Sequence, residues 1–186
     1  LWRDYARILA GIDVDSTLEK MGKQVQELEK LLQAPQSEMV FPDRNETGFK
    51  DHPAETKLRR IASIYYNYLG YGYANQGNSS QARDAYGRAL LHMREEKSPD
   101  REATTRNNLA RVLSDRGHTR GRRLCLDALE LRKKQGAEVP IAYSYNTLAL
   151  IDNDHSRPDL AWIEAAIATA YFDLAEDQRG LGLSLL

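Results

Sequence analysis

Apolar residues return every third or fourth position through most of the chain, the spacing of one face of an α-helix. In the stretch that begins at Ser63, Tyr66, Leu69, Gly70 and Tyr73 share such a face. Gly77 and Asn78 then interrupt it, and Ala82, Tyr86, Ala89 and Leu90 take it up again. The pattern predicts a helix, a short turn and a second helix. Nearer the start, Leu18, Met21, Val25, Leu28 and Leu32 form an apolar stripe behind Asp15 or Ser16 as N-cap. With residues 1 to 11 this predicts an N-terminal helical pair over 1–33. The segment from Ala34 to Pro53 contains Pro35, Pro42, Pro53 and Gly48 without any period, so 34–57 is expected to be a long loop or insertion.

The helix-turn-helix pattern repeats. Segments starting at Ser63, Ala103 and Ala142 align on Leu69-Gly70, Leu109-Ala110 and Leu148-Ala149, with 40 residues from Leu69 to Leu109 and 39 from Leu109 to Leu148. A fixed period of this length marks a stack of supersecondary units. The expected units are 58–97, 98–137 and 138–177, followed at 178–186 by the start of another helix. Small residues at Gly70 and Ala82 are expected to let two helices of one unit approach closely. The second unit places Gly121 and Cys125 opposite Ala82 and Tyr86. The third has Asp152 opposite Tyr73.

Tyr66, Leu69, Gly70, Tyr73, Ala82, Tyr86 and Ala89 resemble the tetratricopeptide repeat position by position. The period is longer than the ~34 residues usual for that family. "NNLARVLSDRG" and "LCLDALELRKK" look closer to the longer repeats of kinesin light chains and of the sensor arms of bacterial signal-transduction ATPases and transcriptional regulators. The resemblance implies an all-α, TPR-like helical-hairpin solenoid, a right-handed superhelix, that binds protein or peptide partners along a concave groove.

Gly72, Gly77 and Ser79 also fit the spacing of a phosphate-binding loop, with Asn78 in place of the lysine. Such a loop needs a strand before its glycines and the lysine on the phosphates. Here a helix precedes the glycines and the lysine is absent. The G-x-G of "GYGYANQG" fails for the same want of a strand. His52, His92, His118 and His155 show no metal-ligand spacing, and Cys125 is the single cysteine. No metal or other cofactor is expected, and no nucleophile motif or acid–base carboxylate pair suggests an enzyme. Cys125 falls at a packing position and is expected to be a buried structural thiol.

With 186 residues, 28% charged residues and a mean hydropathy of -0.62, the chain is expected to be water-soluble, without a membrane span, and cytoplasmic. It opens on Leu1 and stops where another Leu-Ala anchor falls due, so the array is expected to continue in a longer protein or to pair with a second copy. The net charge of -1 hides an asymmetry. Residues 101–136 hold ten Lys/Arg against four acids, whereas 137–186 hold two against eight. No basic face with interleaved aromatics points to nucleic acid.

The resemblance places Ile64, Asn67, Tyr71 and Ala74, then Thr104, Asn107, Arg111 and Ser114, then Tyr143, Asn146, Leu150 and Asn153 toward the groove. Asparagine recurs at one position in all three units. Its amide both donates and accepts, so Asn67, Asn107 and Asn146 can grip a peptide backbone or bridge neighbouring helices, and both readings stand at this point. Asn67, Tyr71, Thr104, Asn107, Arg111, Tyr143 and Asn146 are the candidate contacts. Arg106 and Arg111 are expected to add charge to the groove and favour an acidic partner, and Arg106, Arg116, Arg120, Arg122 and Arg123 form a candidate secondary basic patch, the last four of them around the inter-helix turn. The alternative roles are a solvated turn and attraction of the acidic third unit. Tyr66 and Tyr73 are expected in the core by register, with Tyr65, Tyr68 and Tyr71 facing elsewhere. The function expected from these features is a non-catalytic binding arm of a larger regulator, and the alternative is a self-associating scaffold.

Overall fold

The computed structural model describes residues 53–184 except 97, 115 and 116, together with helical positions 16, 19, 20, 22, 23, 26, 27, 29 and 30. Seven consecutive helices follow one another from residue 53: α1 (Pro53–Asn75), α2 (Ser79–Glu96), α3 (Pro99–Ser114), α4 (His118–Gln135), α5 (Glu138–Asp154), α6 (Pro158–Leu174) and α7 (Gln178–Ser184). The most extensive packing is within the pairs α1/α2, α3/α4 and α5/α6. Each pair then rests on the next through α2 against α3, α4 against α5 and α6 against α7, while the inner helices α1, α3 and α5 touch in succession. From residue 53 on, the described residues therefore form a stack of helical hairpins, α1/α2, α3/α4 and α5/α6, followed by α7.

The turns of the first and third hairpins are built alike. In the first, Gly77 adopts φ 77°, its N–H donates to the Ala74 carbonyl, and the Asn78 N–H donates to that of Tyr73. This left-handed residue with paired backward bonds closes the helix end and satisfies its last carbonyls. Ser156 repeats the geometry at φ 59°, and Glu176 repeats it after α6 at φ 55°. Of the glycines of the supposed phosphate loop, Gly77 thus serves a helix stop and Gly72 is buried within α1.

Close packing decides where side chains must be small. A Cβ on Gly70 would come within 2.7 Å of the Tyr86 ring, and one on Gly121 within 2.7 Å of the Ala110 carbonyl oxygen. Ala82, Ala89, Ala128 and Ala168 are wholly buried between helices. The anchors Leu109 and Leu148 are buried, with Leu69 packed at the edge of the first cluster.

Two expectations need correction. Helix α1 starts at Pro53, inside the segment read as loop to 57. Tyr65 is buried against Tyr66, with ring centroids 5.1 Å apart, instead of facing away. The repeat pattern could not show this because the covering residues lie outside it: a Cβ on Gly22 would stand 2.8 Å from the Tyr65 hydroxyl. The same N-terminal helical stretch sets Glu29 3.7 Å from Arg88 and 3.6 Å from His92 on α2. The expected helix over 1–11 and the loop over 34–52 lie outside the described residues.

Candidate functional site

Because α1, α3 and α5 lie side by side, residues one turn apart on each come together across the stack. Tyr71 and Asn75 from α1, Asn108 and Arg111 from α3, and Leu150 and Asp154 from α5 line a cavity of about 210 Å³. Tyr71 and Leu150 are exposed apolar surfaces on its two flanks. Arg111 is exposed between them, and its guanidinium makes no salt bridge among the described residues. An uncommitted cation flanked by an aromatic ring and an aliphatic side chain suits a carboxylate carried on a partly apolar segment.

The asparagine row does not stand in this cavity. Asn107 is buried, its Nδ2 donating to Thr147 Oγ1 at 2.7 Å while its Oδ1 accepts from the Cys125 thiol at 3.1 Å. Asn67 is half-buried and accepts from Thr105 Oγ1 at 3.0 Å. Both tie one inner helix to the next, the bridging alternative left open by the sequence. Asn146 is half-buried on α5. Thr104 accepts from Arg132 at 3.2 Å, and Tyr143 packs edge-on to Phe172 at 5.0 Å. Of the seven candidate contacts, the structure brings Tyr71 and Arg111 to one open site.

The expected basic patch is divided. Arg106 is held by Glu102 at 2.6 Å and lies 3.7 Å from Asp127, whereas Arg120 and Arg123 are exposed on α4. Arg116 lies outside the described residues. Arg122 does not join a surface patch, because it turns into the seam between units two and three. There it pairs with Asp152 of α5 and, at 2.7 Å, with Glu164 of α6. His118, at the start of α4, takes the other Asp152 oxygen and sits 5.1 Å ring to ring from His155.

Asp152 is wholly buried, and Glu164 nearly so. Burial alone would push the Asp152 carboxyl up, but hydrogen bonds from His118 and Glu164 and the charge of Arg122 hold it below its usual range. As an ionised acceptor it requires a proton on His118 Nε2. Glu164 is pushed up to about 7, first by burial and then by the neighbouring Asp152, against the pull of Arg122. Its Oε2 has no hydrogen-bond partner among the described residues. Close by, burial pushes the Cys125 thiol up to about 12, which leaves it un-ionised and inert as a nucleophile.

A sequence model of the tetratricopeptide repeat matches residues 60–121. The fold is tetratricopeptide-like. Repeats of this family mediate protein–protein interaction, and the stack presents the extended inner surface that such binding uses. The matched span covers α1 from Arg60, all of α2 and α3, and α4 as far as Gly121. No curated protein matches the chain. Among the described residues no helix is long and apolar enough to cross a membrane, and no cluster of His, Cys, Asp and Glu could hold a metal.

In this tetratricopeptide-like stack, the groove residues Asn75, Asn108 and Asp154 escaped the repeat register. Each is one residue beyond an expected groove position, at the open edge of its helix. The seam carboxyl Glu164 escaped too. Its signal was an acid where the repeat register has Ala85 in unit one and Leu124 in unit two.

Proposed function

We propose that the chain is a non-catalytic binding module whose inner face, along α1, α3 and α5, holds an extended protein segment carrying a carboxylate. The observation that carries this reading is the cavity of about 210 Å³ that is lined by exposed Tyr71 and Leu150 and by Arg111, which makes no salt bridge among the described residues. The carboxylate meets Arg111, an adjacent apolar side chain spans Tyr71 and Leu150, and Asn75 and Asn108 offer amides to the backbone. The setting, a partner-sensing arm of a larger bacterial regulator, is carried by the resemblance of the second unit.

Native mass spectrometry of the undenatured chain, followed by titration with acidic and basic peptides, tests the groove. Acidic peptides are expected to bind, and Arg111→Ala to weaken them by about tenfold to a hundredfold, the loss of one charge-assisted contact, at an unchanged melting temperature. Equal binding of basic peptides, or no effect of Arg111→Ala and Tyr71→Ala, would sink the reading.

A second reading, self-association, rests on a different surface. Trp162, Ile163 and Leu174 are exposed on α6, with Leu183 on α7. The matching positions in unit one are Arg83, Asp84 and Glu95, and in unit two Arg122, Arg123 and Lys134. On its outer helix unit three carries exposed apolar side chains at positions where the other two units have charged residues, a composition that marks contact surfaces. Sedimentation is expected to show a concentration-dependent dimer that Trp162→Lys abolishes, and a monomer at high concentration removes this reading.

A further inference from the structure

The seam between units two and three differs in kind from the seam between units one and two. In the latter, the inner helix α3 contributes Leu113 and the outer helix α4 contributes Leu124, both packed in the cluster around Ala82 and Tyr86. The repeat register carries Leu113 onto Asp152 and Leu124 onto Glu164. Two leucines in one seam are thus two carboxyl groups in the next. Apolar contacts are indifferent to protons, whereas two neighbouring carboxyls cannot both ionise there at equal cost.

We propose that His118, Arg122, Asp152 and Glu164 form a proton-dependent joint, holding α5 and α6 on α4 while Glu164 is protonated and loosening when it ionises. The groups facing Glu164 are few. Helix α4 supplies Arg122 and the un-ionised Cys125, with His118 beyond; α5 supplies Asp152, and the turn after it supplies His155. Arg122 is the one fixed positive charge in the cluster, and it already binds Asp152. With Glu164 neutral, one carboxylate faces one guanidinium and the seam is balanced. With Glu164 ionised, a second buried carboxylate shares that guanidinium, its Oε2 without a hydrogen-bond partner among the described residues. Ionisation therefore favours whatever motion brings water to Glu164, and that motion parts α6 from α4.

Helix α5 also carries Leu150 and Asp154 on the groove side, so opening shifts one wall of the groove relative to Arg111. That consequence rests on the groove reading; the joint itself does not. Its test accordingly needs no ligand.

Hydrogen exchange of the 186-residue chain is followed from pH 5.5 to 8.5, with rates corrected for intrinsic chemistry. Protection of α5 and α6 is expected to fall about tenfold across the range, and that of α2 and α3 by less than about twofold. Glu164→Gln, neutral at every pH, is expected to flatten the response of α5 and α6. An equal fall in both seams, or an unchanged response in Glu164→Gln, overturns the joint. Should the variant fail to fold, carbon-13 NMR of the wild-type side-chain carboxyls decides. A Glu164 titration near 7 that moves amide signals of α4 and α6 together supports the joint, and titration in the ordinary carboxylate range overturns it.

Discussion

Asn107 and Thr147 stand on adjacent inner helices and share a 2.7 Å hydrogen bond inside the stack, 40 residues apart in sequence. The bond makes Asn107 a structural stitch between units two and three. Removing the amide in Asn107→Ala leaves Thr147 without its donor and the Cys125 thiol with only the Ser144 carbonyl at 3.4 Å, at a cost of about 1–3 kcal/mol. Urea unfolding is expected to shift to a lower midpoint by that amount. A variant as stable as the wild type would return Asn107 to the list of groove contacts.

The approach of α3 to α4 is limited by backbone at Gly121. Gly121→Ala would place a methyl 2.7 Å from the Ala110 carbonyl, where no side chain can give way. A loss of about 2 kcal/mol or more is expected, despite the better helix propensity of alanine. Gly70→Ala meets the Tyr86 ring instead, which can tilt, and should cost less. Thermal melts of the two variants check the order.

Ser156 occupies the left-handed conformation that Gly77 takes in the equivalent turn. A β-carbon there costs about 1–2 kcal/mol, partly offset by the lower entropy of an unfolded serine. Ser156→Gly is therefore expected to stabilise the chain by about 0.5–1 kcal/mol, read as a higher urea midpoint. Destabilisation would mean that the serine side chain matters to the turn.

Stability against pH should show the two seam carboxyls with opposite signs. Glu164 is raised from an ordinary 4.5 to about 7 in the folded chain. The folded state holds its proton more tightly, so its contribution is complete below 4.5 and is lost as pH rises toward 7. The loss is about 3 kcal/mol by pH 8, and Glu164→Gln should abolish it. Asp152 is held low, so its contribution is present above the ordinary carboxylate range and is lost as acid protonates it. Urea midpoints measured across pH should therefore be highest in mildly acidic solution.

The period of the sequence carried the hairpins because Gly70 and Gly121 are constrained by neighbours inside their own unit, and Leu109 and Leu148 pack against the unit before, at fixed offsets. Of the positions that the resemblance turned toward the groove, Tyr71, Ala74, Arg111, Ser114 and Leu150 line the cavity. The asparagines lie on the border between groove and seam, and which way they turn depends on hydroxyl partners in the following unit. Those partners fall at unequal offsets, Thr105 at 38 residues from Asn67 and Thr147 at 40 from Asn107, so no single register predicts them. Asp152 was visible as a departure from the repeat. Its meaning was not, since the cluster that gives it one is assembled from three helices.

Trp162, three-quarters exposed on the outer helix, is also an optical probe built into the chain. A hydrated indole emits at long wavelength and shifts to the blue when covered. With Trp2 replaced by phenylalanine, Trp162 is the sole tryptophan, and its colour reports which face is occupied. A second copy settling on α6 dehydrates the ring and moves its emission, while a peptide held between Tyr71 and Leu150 leaves the spectrum where it was.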